Sequence, residues 1–196
     1  MRVITISGLD GSGKSTQVAR LRARFEAEGK RVEYFHAVHF SVAQAPRRLR
    51  GARGGSPEAS ERAAVTTASG PAIALRKLVL RVDLVRYRSL LRRLAREGVD
   101  VLVSDRFYYD NLVNIAFLER SAAFLPVTPA RPDVAIYLRA EPEAIMGRER
   151  APEQGLDYLV AKRALYDALA ERFALTVVDG SGTPDAVSSA VAAEVG

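Results

Sequence analysis

Eight residues near the amino terminus combine a flexible backbone with a cation and two hydroxyls: "GLDGSGKS", Gly8 to Ser15. They fit the spacing G-x-x-x-x-G-K-[ST]. Gly8, Gly11 and Gly13 let the chain turn several N–H groups inward. With Ser12, Thr16 and the start of a following helix, those groups make a cradle for phosphate. Lys14 is placed to reach the β- and γ-phosphates of a nucleoside triphosphate, and Ser15 to bind Mg²⁺.

Two further segments carry matching chemistry. "VLVSDR", Val101 to Arg106, ends an apolar run with a carboxylate and a guanidinium. At the carboxyl edge of a buried strand, Asp105 could hold Mg²⁺ through water and Arg106 could face a second phosphate. "GRERAPEQG", Gly147 to Gly155, sets Arg148 and Arg150 before a stretch with proline and glycine. That composition suits a lid near 147–156 which brings an arginine onto a transferring phosphoryl group. The plainer readings are a solvated ion pair at a strand end and a charged helix end.

These groups must be held by elements, and the pattern supplies them. Strands are expected at Arg2 to Ser7, Arg31 to Phe35, Val99 to Ser104, within "RPDVAIYL", and at Ala174 to Val178. Helices are expected from Gly13 to Gly29, Pro71 to Arg96, Tyr109 to Arg120, after Pro142, from Asp157 to Phe173 and after Pro184. In the long helix, Leu75, Leu78, Val82, Val85, Leu90, Leu91 and Leu94 form the expected buried stripe. Strands alternating with helices imply a three-layer α/β/α sandwich around a parallel sheet. Residues 1–196 read as one domain. A poorly patterned segment near 41–70, with "PRRLRGARGGSPEAS", is expected to be mobile, with a helical turn at Glu58 to Ala68.

Composition narrows the partners. Without cysteine there is no disulfide framework and no thiolate metal site. No apolar run approaches the roughly 18 residues of a membrane span, and the start does not read as a signal peptide. A cytoplasmic protein with no membrane partner is therefore expected. The net charge of +6 suits anionic partners. Arginine is spread along the chain, which disfavours nucleic acid as the partner. No Asn-Lys-x-Asp guanine motif is present.

Taken in order along nearly the whole chain, "GLDGSGKST", the long helix, "SDRF", "RPDVAIYL", the arginine-bearing lid and "VDGSGTP" resemble the thymidylate kinase family of P-loop nucleoside monophosphate kinases. The resemblance implies a P-loop NTPase fold with a five-stranded parallel sheet. It also implies Mg²⁺ and ATP as cofactors, a nucleotide acceptor such as dTMP, and a homodimer. It assigns Asp10 to the acceptor's sugar hydroxyl and Arg106 to its phosphate, and Asp83 matches its acidic or amide position; Tyr109 is a candidate substitute for a lost acceptor contact, its plainer reading being a helix-face packing residue. Gly180 falls in the segment that lies against adenine. No arginine stands between Asp10 and Lys14, as in members that supply one from the lid.

Three departures fall on the acceptor side. "EYFHAVHF", with His36 and His39, stands where the family carries an arginine near a proline. Leu80 and Leu84 stand where it carries an aromatic residue and an arginine. "YYDNLVN" replaces a serine-rich stretch. A kinase of this type acting on another nucleotide, a nucleoside or a small metabolite is the alternative reading. A nucleic-acid-binding ATPase is a lesser one.

Overall fold

Apart from the partly exposed VEYFH, Val32–His36, the strands form from short runs rich in β-branched residues. The computed structural model describes residues 1–37, 68–121, 123–127, 130–148 and 151–196. In chain order the elements are β1 (Arg2–Gly8), α1 (Lys14–Ala27), β2 (Val32–His36), α2 (Gly70–Arg96), β3 (Val101–Asp105), α3 (Tyr108–Glu119), β4 (Val134–Arg139), α4 (Pro142–Met146), α5 (Gly155–Phe173), β5 (Thr176–Asp179) and α6 (Pro184–Val195). The expected elements are met within a few residues at each end. His39, the "PRRLRGARGGSPEAS" segment with its helical turn up to 67, and Arg150 lie outside the described residues.

All five strands pair in parallel, in the order β2-β3-β1-β4-β5. The fold is thus α/β with a fully parallel sheet. Val101 to Asp105 is buried throughout, as a strand covered on both faces must be. One face holds Ile4, Ile6, Val103 and Leu138 against Val18, Phe25 and Val191. The other holds Val3, Leu102 and Tyr137 against Tyr87, Leu112 and Leu169. Chain connections leave β1 toward one edge of the sheet and β4 toward the other. A crevice therefore opens at the carboxyl ends of these neighbours.

The buried stripe expected on α2 is corrected in its first half. Leu75, Leu78, Val82 and Val85 are exposed, by 60%, 57%, 42% and 61%. The buried face is Leu80, Asp83, Leu84, Tyr87 and Leu94, with Leu90 and Leu91 packed beside it. The helix carries two apolar stripes of the same period on opposite sides, so periodicity could not say which meets the core. Tyr87 decides it. Its ring is fully buried and packs against Phe35, Phe107 and Tyr108 at 5.0, 5.4 and 5.3 Å between centroids.

Candidate active site

The loop from Gly8 to Gly13 owes its shape to close packing as much as to flexibility. Gly8 has φ 150°, and a Cβ there would stand 2.6 Å from the Leu138 carbonyl oxygen. Gly11 has φ 83°, and a Cβ there would stand 2.8 Å from Ile145 Cγ2. Both positions exclude a side chain. Gly13 then enters α1 in the left-handed region with no side-chain cap, leaving the first N–H groups of α1 directed at the loop.

The strand register brings the other groups to the same edge. Ile6 is level with Asp105, and His36 is level with Asp105 on the other side. An open cleft of about 460 Å³ results, lined by Asp10, Gly11, Gly13, Lys14, Ser15, Thr16, His36, Asp105, Arg106 and Arg148. Residues far apart in the chain thus converge on one space.

Within it, Ser15 Oγ donates to Asp105 Oδ2 at 2.6 Å. Lys14 is buried and donates from Nζ to the carbonyl oxygens of Gly8, at 3.0 Å, and Leu9, at 2.6 Å. Burial pushes its pKa down, and the Arg106 guanidinium adds to this while Asp10 opposes it. Arg106 donates to the Asp10 carboxylate. Its backbone is left-handed, at φ 64°, which is strained for an arginine. The turn is held by Ser104 Oγ, which donates to the Arg106 carbonyl at 2.6 Å, and by Arg106 N–H, which donates to the Ile6 carbonyl at 3.1 Å. Burial alone would raise the Asp10 carboxyl. Arg106, then Lys14 and Lys162, more than offset this and hold it well below the usual carboxylate range.

Arg148 joins two more segments. Its guanidinium donates to the Gly11 carbonyl in the loop and, at 3.1 Å, to the Gly180 carbonyl beyond β5. A Cβ on Gly180 would come within 2.9 Å of Leu138 Cγ, so this loop also lies tight on β4. Ser12 is buried, and its hydroxyl has no hydrogen-bond partner among the described residues.

Two expected acceptor residues lie elsewhere. Tyr109 is buried against Phe107 and Phe173. Asp83 is buried on α2, where Arg86 donates to it at 3.1 Å and Tyr108 Oη donates to its backbone carbonyl.

Sequence reasoning missed Asp110, although it is the centre of the site's support. Its buried carboxylate accepts from Ser7 Oγ at 2.7 Å, Phe107 N–H at 2.8 Å, Tyr166 Oη at 2.7 Å and Gly8 N–H at 3.5 Å. An acid at the third position of a helix following a strand was the available signal. Lys162 on α5 was missed too. It is buried and donates to Asn114 Oδ1 at 2.5 Å. That pairing spans 48 positions and leaves no local signal.

Burial pushes Lys162 down to about 8, with Asp10 opposing and Arg106 adding to the shift. A free lysine keeps its proton to 10.5. Above pH 8 the unfolded chain therefore holds a proton that the folded chain has released. Stability contributed by this group rises with pH between those values, by at most ~1.4 kcal/mol per pH unit. Denaturant melts near pH 8 and pH 10 should show this rise in the parent relative to Lys162→Met.

No protein-family model and no curated protein matches this chain. No helix among the described residues is long and apolar enough to cross a membrane.

Proposed function

We propose that the chain is a P-loop phosphotransferase of the thymidylate kinase type, which moves the γ-phosphate of ATP to a small acceptor, with dTMP the first candidate and dTDP its product. The observation that carries this reading is the Ser15–Asp105 hydrogen bond beside Lys14, at the mouth of a glycine loop. A hydroxyl and a carboxylate side by side suit Mg²⁺, which takes few protein oxygens and completes its shell with water and phosphate.

Bound there, Mg²⁺ would neutralise charge on the phosphates. The chain's own residues do the rest. Lys14 turns from the loop carbonyls to the β- and γ-oxygens. Arg148, held by the Gly11 and Gly180 carbonyls, is the lid arginine that would reach the transferring group. Arg106 binds the acceptor phosphate and Asp10 its sugar hydroxyl. A phosphate nucleophile is already anionic, so placement and charge neutralisation suffice.

A different acceptor is favoured by one specific observation. Leu80 and Leu84 are both buried in the core, and Tyr109 lies there too. A pocket without their polar counterparts reads a base less strictly. ADP release from Mg·ATP, measured with dTMP, other nucleoside monophosphates and nucleosides in turn, decides between these readings. Turnover with none of them, together with no binding of Mg·ATP, would sink the kinase proposal.

The exposed stripe Leu75, Leu78, Val82 and Val85 runs along one side of α2. Together with the resemblance, it supports a homodimer joined through this helix in a cytoplasmic protein. Leu78→Arg is expected to convert the dimer to monomer in light scattering after size exclusion, with the thermal midpoint little changed. A parent chain that elutes as a monomer would refute this.

A further inference from the structure

Helix α5 carries Tyr158, Lys162 and Tyr166 one turn apart, on one face. All three sense the charges of Asp10 and Arg106 at the acceptor end of the cleft. Tyr166 is satisfied, since its hydroxyl donates to Asp110. The other two are not. The Tyr158 hydroxyl is buried without a hydrogen-bond partner among the described residues. Lys162 has three donors and bonds Asn114 with one, its Nζ standing 4.7 Å from the centre of the Tyr158 ring.

The unpaired Tyr158 hydroxyl and the two remaining Lys162 donors are unfavourable in a finished core. Their natural complement is an oxygen, and the ammonium calls for an anionic one. Lys14, Arg106 and Arg148 line the cleft, Lys14 and Arg148 at the glycine loop. Lys162 and Tyr158 are buried outside that lining, on the helix whose Tyr166 meets Asp110 beside Gly8.

We propose that Lys162 and Tyr158 form an oxyanion subsite of the acceptor half, which selects a phosphorylated acceptor over the same compound without its phosphate. This rests on the assignment of Asp10 and Arg106 to the acceptor. Lys162 is faced by Asp10 and Lys14 from the phosphate loop, Arg106 from the β3–α3 turn, Asp110 and Asn114 from α3, and Tyr158 and Tyr166 from α5. An anion bound beside Lys162 keeps its proton on, so affinity falls as pH rises past the lysine's titration.

The test is calorimetric titration of the full chain and of Lys162→Met, Lys162→Arg and Tyr158→Phe. Mg·AMP-PNP is titrated first, followed by inorganic phosphate, nucleoside monophosphates and the matching nucleosides, at pH about 7 and about 9. Lys162→Met should weaken inorganic phosphate and monophosphates about tenfold or more. It should leave nucleosides and Mg·AMP-PNP within about twofold and abolish the loss of affinity between the two pH values. Lys162→Arg should retain most of the phosphate affinity, and Tyr158→Phe should fall between. Unchanged phosphate affinity in Lys162→Met overturns the proposal. So does equal weakening of Mg·AMP-PNP, and so does a parent chain that holds neither phosphate nor any monophosphate. Failure of the parent to bind Mg·AMP-PNP strikes the kinase reading instead, while the phosphate titration still decides the subsite.

Discussion

Replacing Asp110 with alanine is expected to lower the thermal midpoint by about 10 °C or more. The carboxylate gathers two backbone N–H groups and two hydroxyls in a place closed to water. Its removal leaves those donors without an acceptor. Each loss costs about 1–3 kcal/mol when the donor is buried, and 3.5 Å makes the Gly8 contact the weakest. A total near 4 kcal/mol is a large part of the 5–15 kcal/mol that a domain of this kind has. Asp110→Asn keeps one acceptor oxygen and turns the other into a donor facing donors, so a smaller loss is expected.

The effect should reach function by a defined route. Ser7 and Gly8 lead into the glycine loop, and Phe107 follows Arg106 directly. Asp110 therefore ties the two halves of the cleft to α3 and, through Tyr166, to α5. At a temperature where the variant is still folded, Mg·ATP binding should weaken along with stability. A midpoint within about 3 °C of the parent would show that the four donors find other partners, and the tie would not hold.

The fold was legible because its strands and its breakers agree. Pro71, Pro142 and Pro184 each open a helix where the apolar pattern changes period, and the parallel sheet follows from alternation alone. The glycine loop and the residues gathered around it were legible for a similar reason. Gly8 to Ser15 is contiguous, and its glycines are set by local backbone needs. Asp105, Arg106 and Arg148 could be named from their positions at element ends; the register carries Asp105 and Arg106 to the loop, and hydrogen bonds to Gly11 and Gly180 hold Arg148 there.

The rest depends on which way a helix faces. α2 has two stripes of equal period, and only the aromatic cluster around Tyr87 orients it. Tyr109 is open in the sequence to two readings, acceptor contact or helix-face packing, and α3 turns it toward Phe173. Asp110 and Asn114 on α3 meet Tyr166 and Lys162 on α5 as two successive rungs. Neither rung has a signature within a window of residues. A buried polar contact between distant helices is specified by packing, and packing is read from coordinates.

Lys14→Met is expected to separate chemistry from stability. On the proposed reading, Lys14 is the cation that meets the phosphates, and its loss should lower phosphoryl transfer about a hundredfold to a thousandfold. The fold should hardly notice. Lys14 is buried, and burial followed by Arg106 already pushes its pKa down, so its ammonium stands in an environment that disfavours charge. Methionine removes that charge while keeping the length of the stem. The two loop carbonyls at Gly8 and Leu9 lose a donor, which offsets part of the relief. A net change within about 1 kcal/mol of the parent follows. Steady-state ADP release and a urea melt on the same preparation check both halves. Turnover within about tenfold of the parent would remove Lys14 from the chemistry. A collapse of stability with turnover would make it a structural lysine of the loop. Loss of transfer at unchanged stability is the one pattern that a phosphate-binding cation produces, because its partner is the ligand and the chain folds without it.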